Sequence, residues 1–206
     1  MEYEDKAITG GSWIETFSGA RIDPYHPHPE EIFLIDIAHA LSNICRFTGH
    51  SKVFYSVAQH SLLVSWLVEE KFKKEALFHD AGEAYMNDLA RPIRTELNYY
   101  VLSEHMLREM IFQKFGIPIF DHAKISPEVK EADDVALIYE ATLLGFRWGA
   151  ERLTDQIKAR IEALSRKRAA DAWPMPNSHL TPMMARQQYI RALQEYYTIE
   201  TIYGRN

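Results

Sequence analysis

The segment from Ala76 to Glu83 holds the residues whose types and spacing most directly indicate chemistry. It reads Ala-Leu-Phe-His-Asp-Ala-Gly-Glu, so His79 and Asp80 are adjacent within an otherwise apolar run. A buried histidine and aspartate are costly unless they are paired or bind a cation. Glu83 lies at i+4 from His79 and i+3 from Asp80, which places it on the same face of a helix. One turn would then carry two metal ligands and a general acid or base.

Two further segments supply candidate ligands of the same types. His60 lies in the apolar stretch Val-Ala-Gln-His-Ser-Leu-Leu-Val, and Asp133 opens a third apolar stretch with Asp134 as an adjacent competitor. Two imidazoles and two carboxylates suit Zn, Mn, Fe or Co, whereas carboxylates alone suit Mg. Such a set leaves coordination positions for water and a substrate oxygen, as catalytic sites require. The order of these residues predicts a metal-dependent hydrolase.

The bulk composition is that of a globular enzyme. The 206 residues are 47% apolar and 25% charged, which fits one domain with a sizeable core. The net charge of −6 argues against a nucleic-acid binder but is compatible with a small anionic substrate. The single cysteine, Cys45, cannot form an internal disulfide, and neither a membrane-spanning run nor a secretory signal is visible. We therefore expect a cytoplasmic protein without nucleic-acid or membrane partners.

The elements that must position these residues are predicted to be helices in one all-α domain. Residues 1–29 are predicted to be irregular, and their sequence is also compatible with short strands. Ser56 and Gln59 have capping-box spacing, and Ser126 and Thr181 each precede a proline at the first turn of a helix. The expected helices cover residues 30–49, 56–70, 74–86, 95–115, 127–145, 151–169 and 182–198.

Three blocks of sequence resemble the HD-domain phosphohydrolase superfamily, whose fold is an all-helical bundle. They run from Asp36 to Ser61, from His79 to Arg94 and from Val129 to Asp133. The closer similarity is to its compact nucleotidase branch, which contains bacterial YfbR-type 5'-deoxynucleotidases and phage DatZ-type dATP triphosphohydrolases. The resemblance implies a single HD domain, with a metal-site core at about residues 30–145 and C-terminal helices at about 151–198.

The resemblance also implies roles for individual residues around the metal. The implied ligands are His60, His79, Asp80 and Asp133. Asp133 is preferred to Asp134 because the family places its ligand directly after a Lys-x-Ala run. Glu83 matches the residue that transfers a proton or positions water, and Asp88 matches a second active-site carboxylate. The implied cofactor is a divalent transition metal (Zn, Co or Mn, with Fe also compatible), and Mg could occupy a second site.

Substrate contacts are implied at three positions. Arg94 occupies a position that suits phosphate binding, and Arg21 resembles the N-terminal arginine that contacts phosphate in this branch. YfbR-like enzymes have an aromatic residue directly after that arginine, whereas here Ile22 follows. His50, beside Gly49 at a predicted helix end, is a further candidate for substrate contact.

The favoured activity is a deoxynucleoside triphosphohydrolase, with dATP as substrate and with deoxynucleoside and triphosphate as products. The block from Asp36 to Ser61 and the short connection from His60 to His79 resemble the phage enzymes. The alternatives are a 5'-deoxynucleotidase acting on dNMPs and a non-catalytic nucleotide- or metal-binding scaffold; a homo-oligomer is compatible with each. The signatures of cyclic dinucleotide phosphodiesterases (Gly-Tyr-Pro) and alarmone hydrolases (a Glu-Asp pair near the site) are missing.

Overall fold

The structure is a computed structural model that describes residues 12–119, 124–167 and 180–204. Most of these residues are helical. One antiparallel hairpin precedes them, with strands β1 (Ile14–Glu15) and β2 (Arg21–Ile22). The predicted all-helical class is therefore confirmed at the level of a mostly helical chain. In the described ranges no helix has both the length and the apolar character needed to cross a membrane.

Eleven α-helices follow the hairpin within the described residues. They are α1 (Leu34–Asn43), α2 (Val57–Leu67), α3 (Lys73–Phe78), α4 (Glu83–Met86), α5 (Arg91–Arg94), α6 (Asn98–Lys114), α7 (Pro127–Leu143), α8 (Arg147–Arg152), α9 (Asp155–Lys167), α10 (Pro182–Leu193) and α11 (Ile199–Tyr203). Short 3-10 turns cover Pro29–Glu31, Arg46–Gly49 and Glu70–Phe72. Part of the expected irregular segment (residues 1–11) and the expected end of the helix over 151–169 lie outside the described residues.

The three predicted helix starts are confirmed. Ser56 and Gln59 form a complete capping box at the start of α2. The hydroxyl of Ser126 accepts from the N–H of Val129 at the start of α7, and that of Thr181 accepts from Met184 at the start of α10. These caps satisfy N–H groups that have no partner inside a helix, so short-range chemistry alone locates the helix starts.

The predicted helix over residues 30–49 is wrong in its extent. The chain forms a separate 3-10 turn at Pro29–Glu31, and α1 occupies only Leu34–Asn43. Ile44 is extended, and its carbonyl accepts from the N–H of Val57, while the N–H of Arg46 donates to Tyr55. This pairing with the segment before α2 takes up backbone groups that a longer helix would have needed.

The predicted continuous helix over residues 74–86 is also wrong, because the chain divides it into α3 and α4. Nδ1 of His79 donates to the carbonyl of Ala76 at 2.7 Å, an acceptor that the N–H of Asp80 would use in a continuing α-helix. The following turn has i→i+3 bonds, including Glu83 N–H to Asp80. His79 and Asp80 therefore lie in a tight turn between two helices.

Helix α2 is the central element of the packing. Nine of its eleven residues are buried, since one side packs in the main core with α1, α3 and α10 and another packs against α7 and α9. The second contact is made by Leu63, Val64 and Leu67 with Val129 and Ala132 among others. Because α2 and α7 are locked together in this way, His60 and Asp133 are held at a fixed separation.

Candidate metal centre

The four predicted ligands come together from three places in the fold. His60 projects from α2, His79 and Asp80 from the turn after α3, and Asp133 from α7. Nε2 of His60 lies 3.2 Å from Nε2 of His79 and 3.2 Å from Oδ1 of Asp133. Oδ2 of Asp80 lies 3.2 Å from Nε2 of His79 and 3.5 Å from that of His60. The two histidines and Asp133 form a group whose ligand atoms all lie within 4.8 Å of one another.

Hydrogen bonds at the far side of each ring determine which nitrogen faces the cluster. Nδ1 of His60 lies 2.8 Å from Oε1 of Glu140, and Nδ1 of His79 lies 2.7 Å from the carbonyl oxygen of Ala76. Both partners are acceptors, so both Nδ1 atoms carry hydrogen. In the neutral form of both rings each Nε2 then presents a lone pair to the same space, as in metal-binding histidines oriented by an outer acceptor.

The separations fit a first-row divalent cation. Ligand atoms about 2.0–2.1 Å from a tetrahedral zinc ion stand about 3.4 Å apart, and octahedral geometry gives a slightly shorter edge. The four separations measured from the Nε2 atoms to neighbouring ligand atoms are 3.2–3.5 Å. Mixed nitrogen and oxygen donors also match the preferences of such ions. His60, His79 and Asp133 could therefore hold a metal as they stand, whereas Asp80 is close to both histidines but is not part of that group of three.

The charges of the cluster residues also favour a bound cation. Burial and Arg46 both lower the pKa of His60, but the carboxylates of Glu140 and Asp133 outweigh them and raise it to about 9. Burial alone would raise the pKa values of Asp80 and Asp133, yet contacts with the histidines lower both below their ordinary range. The carboxylates are thus ionised and draw a positive charge into the cluster, which a metal or a proton can supply.

A buried group of three residues behind the cluster was missed by the sequence reasoning. Glu140 accepts from His60, from Nε of Arg46 at 3.1 Å and from the hydroxyl of Tyr55 at 3.1 Å. Nη1 of Arg46 also lies 3.9 Å from Asp80. Burial raises the pKa of Glu140, but Arg46 and His60 lower it overall, so the carboxylate is charged. Glu140 could have been noticed, because it follows Asp133 by two helical turns on the same face of α7; Tyr55 carries no such signal.

The two candidate catalytic carboxylates lie beside the cluster. Burial, followed by the charges of Asp80 and Asp88, raises the pKa of Glu83 well above its ordinary value. Its Oε2 atom is buried and has no hydrogen-bond partner among the described residues. Asp88 follows Asn87, whose positive φ of 73° turns the chain after α4, and burial raises the pKa of Asp88 as well. The raised pKa favours the protonated form of Glu83, which has a buried carboxyl oxygen without a partner in this part of the chain.

The three candidate substrate contacts have different surroundings. Arg94 lines the cavity beside His79 and makes two bonds to Oε2 of Glu104, at 2.9 Å from Nε and 2.8 Å from Nη2. Arg21 is exposed on β2, 3.9 Å from Glu15 and over the ring of Trp13.

His50 is exposed after the turn Arg46–Gly49. Two cavities lie near the cluster, one beside His79 and Arg94 and one beside Asn87, and neither His50 nor Arg21 is among their lining residues. Of the three candidates, the structure thus brings only Arg94 to the lining of those cavities.

An arginine followed by an aromatic residue does lie at the cluster, at Arg46 and Phe47. Arg46 is buried beside Asp80, and its guanidinium lies 5.5 Å from the centre of the Phe47 ring. Phe47 is half-buried, has the rare left-handed φ of 57°, and packs against Phe146 with ring centres 4.9 Å apart. The resemblance placed this arginine at Arg21 instead, which is followed by Ile22.

Two cavities meet at Glu83. The cationic cavity, of about 370 Å³, is lined by His79, Asp80 and Asp133 of the cluster and by five basic side chains: Arg91, Arg94, Arg108, Lys124 and Lys130. The second cavity, of about 760 Å³, lies between the end of α1 and the loop after α4 and has a mixed lining that includes Asn43, Thr48, Asn87 and Asp88. Glu83 lines both. A substrate with one anionic and one uncharged part could therefore lie across Glu83.

Comparisons with known proteins show relatives without an assigned function. No family model matches the chain. The uncharacterized protein YfdR of Escherichia coli is 42% identical over 139 residues, which is 68% of this chain and 76% of YfdR. An uncharacterized protein of Rhodobacter capsulatus is 34% identical over 140 residues, which is 63% of this chain and 71% of that protein. The chain belongs to the family that includes these two proteins.

Proposed function

We propose that this protein is a metal-dependent phosphohydrolase that cleaves deoxynucleotides at the α-phosphorus, with deoxynucleoside triphosphates as the favoured substrates. The observation that carries the proposal is that three of the four predicted ligands, His79, Asp80 and Asp133, line the cationic cavity. The favoured metals are Zn, Co and Mn, because the donors combine imidazole and carboxylate.

The charge of the cationic cavity supports a triphosphate. Five basic side chains face four carboxylates there, namely Asp80, Glu83, Glu104 and Asp133. Asp80 and Asp133 are candidate ligands, so a bound divalent cation would offset them, and the raised pKa of Glu83 favours its uncharged form. Positive charge then exceeds negative charge by a margin suited to the β- and γ-phosphates of a nucleotide.

The side chains have separable tasks in such a reaction. A bound divalent cation would polarise a phosphoryl oxygen and lower the pKa of a water molecule. Arg94 and Arg91 would bind the phosphate oxygens and offset charge that builds on them. Attack of water at the α-phosphorus breaks its bond to O5', and protonated Glu83 can give its proton to that leaving oxygen. The products are deoxynucleoside and triphosphate.

The nucleoside would occupy the second cavity, on the other side of Glu83. Its side-chain donors and acceptors include Asn43, Thr48 and Asn87, which suit a sugar and a base better than a phosphate. Lining residues do not select one base here, and the preference for adenine comes from the resemblance alone.

A second candidate is a 5'-deoxynucleotidase that releases phosphate from dNMPs, and Arg46 with Phe47 favours it. An arginine followed by an aromatic residue is the feature that the resemblance associates with the monophosphatases. Both activities break the same bond, so they differ in what lies beyond the α-phosphorus. The basic residues of the cationic cavity are the reason for favouring the triphosphate.

A nucleotide panel tests the proposal. The protein, loaded in turn with Zn, Co or Mn, is incubated with each deoxy- and ribonucleoside mono- and triphosphate, and phosphate, triphosphate and nucleoside are measured. We expect deoxynucleoside and triphosphate in equal amounts from dATP. Asp133→Asn should lose activity, whereas Asp134→Asn, a change at the neighbouring half-exposed position, should retain it. Release of phosphate from dAMP with dATP intact would favour the second candidate, and no turnover of any nucleotide would contradict both.

A further inference from the structure

His105 lines the cationic cavity but has no role in the proposed chemistry. It lies on α6 between Glu104, which binds Arg94, and Arg108, one turn later. Its ring is half-buried, and no hydrogen bond of the ring occurs within the described residues. One ring N–H and one ring lone pair are therefore available to a ligand in a cavity dominated by basic side chains.

The charged groups around His105 explain its protonation state. Arg91 and Arg94 face the cavity from α5, Arg108 from α6, Lys124 from the segment before α7, and Lys130 from α7. Burial, then Arg108 and Arg94, lowers the pKa of His105 to about 4. The ring is thus uncharged at neutral pH, because a further cation among these groups would be repelled.

The carboxylates that line the cavity do not offset the effect of these basic groups on His105. Glu104 is bound to Arg94, and the remaining three, Asp80, Glu83 and Asp133, lie at the metal cluster. An anion that enters the cavity would change the balance, since it would offset the arginines that keep the ring uncharged and would offer an acceptor to both ring nitrogens.

We propose that His105 is a substrate-binding residue that becomes protonated when a phosphate group enters the cationic cavity and then donates a hydrogen bond to a phosphate oxygen. The inference rests on the proposed function in placing phosphate in this cavity. The proton comes from solvent, so binding consumes up to one proton for each phosphate ligand. Binding should consequently strengthen as pH falls from neutrality toward the pKa of the free ring.

The test uses inorganic triphosphate as the probe and the metal-loaded protein. Calorimetric titrations in buffers with different ionisation enthalpies give the number of protons taken up at each pH from about 5.5 to 7.5. We expect wild-type protein to take up a substantial fraction of one proton at the lower pH values. His105→Gln should take up less by that same fraction and bind about tenfold more weakly, as expected for the loss of a charge-assisted hydrogen bond.

Two further variants keep the test decisive. His105→Lys carries a fixed charge, so it should bind triphosphate without proton uptake at this site. If His105→Gln does not fold, His105→Lys takes its place in the comparison of proton uptake with wild type. His28→Gln, which removes an exposed histidine outside the cavity lining, should match wild type. Equal proton uptake in wild type and His105→Gln would overturn the proposal, as would failure of wild type to bind triphosphate. Nucleotide hydrolysis is not measured here, so the proposed function can fail while this inference stands.

Discussion

His60 and His79 face each other through their Nε2 atoms at 3.2 Å, and each ring is fixed from behind by a bond at Nδ1. Two lone pairs at this distance repel unless a positive charge lies between them. Glu140 and the carbonyl of Ala76 hold the hydrogen of each neutral ring on Nδ1, which leaves the Nε2 lone pair for a metal. The pair is therefore preorganised for a cation, and this relationship underlies the predictions for the metal.

The first prediction concerns Asp80 as a ligand. Asp80→Ala should reduce both bound transition metal and activity, because it removes an anionic donor 3.2 Å from Nε2 of His79. Elemental analysis of purified protein measures the metal content. Asp134→Ala is the control, since Asp134 is more exposed and binds Lys130. Equal metal content in Asp80→Ala and wild type would remove Asp80 from the ligand set.

The second prediction concerns Glu140, which orients His60 from behind. Glu140→Gln keeps an acceptor for Nδ1 of His60 but removes the charge, so we expect metal affinity to fall by about 10–100-fold. Tyr55→Phe is the matched control, because it deletes another hydrogen bond to Glu140 and leaves the carboxylate in place. Competition with a metal-binding dye gives both affinities. An equal loss in the two variants would show that general packing, and not the charge of Glu140, supports the metal.

The third prediction separates catalysis from metal binding at Glu83. Glu83→Gln keeps the size of the side chain but cannot transfer a proton, so the rate should fall by about 10²–10⁴-fold. Metal content should stay at the wild-type level, since Glu83 is not one of the four predicted ligands His60, His79, Asp80 and Asp133. Steady-state kinetics and elemental analysis on the same samples check this. Near wild-type turnover of Glu83→Gln would indicate that Glu83 has only a structural role.

The fourth prediction concerns Arg94 and the length of the phosphate chain. Arg94→Ala should lower kcat/KM by about 10–100-fold for dATP and by less for dAMP, because more charge goes unbalanced on a triphosphate. The loss of Arg94 also frees Glu104, so the double variant with Glu104→Gln should recover part of the dATP activity. Arg191→Ala, an exposed change on α10, is the control. Equal losses on the two nucleotides would argue against a polyphosphate contact at Arg94.

The fifth prediction concerns the pH dependence of metal binding. The pKa of His60 is raised to about 9 in the metal-free protein, so a proton occupies the site at neutral pH and must leave before a metal binds. Metal affinity should rise by about tenfold for each pH unit up to about 9.

The stability of the metal-free protein should change in the opposite sense. Because the folded pKa exceeds the unfolded value of about 6.5, the contribution of protonated His60 is present below that pH and is lost as pH rises through about 9. Dye competition and thermal melts over this range measure both effects. Metal affinity that does not change with pH would contradict this assignment.

The sequence by itself determined the chemical types at the site and the helix starts. Residue type and spacing identified His60, His79 and Asp80, the resemblance chose Asp133 over Asp134, and the four residues lie together in the fold. The caps at Ser56, Ser126 and Thr181 were equally readable, because a cap bonds only to a backbone N–H three residues away. Interactions of such short range can be predicted from a few consecutive residues.

The tertiary structure decided what joins distant parts of the chain. His60 and Glu140 are 80 positions apart, and only the packing of α2 against α7 brings them to 2.8 Å. The position of Arg46 beside Asp80 and Glu140 likewise depends on tertiary structure, namely on the backbone pairing of residues 44–46 with the segment before α2. Arg21, in contrast, lies on an exposed hairpin. Helix propensity also overestimated the segment around His79, since a side-chain bond to Ala76 breaks the helix there. Long-range packing carries no local sequence signal, so the three-dimensional fold alone set these contacts between distant residues.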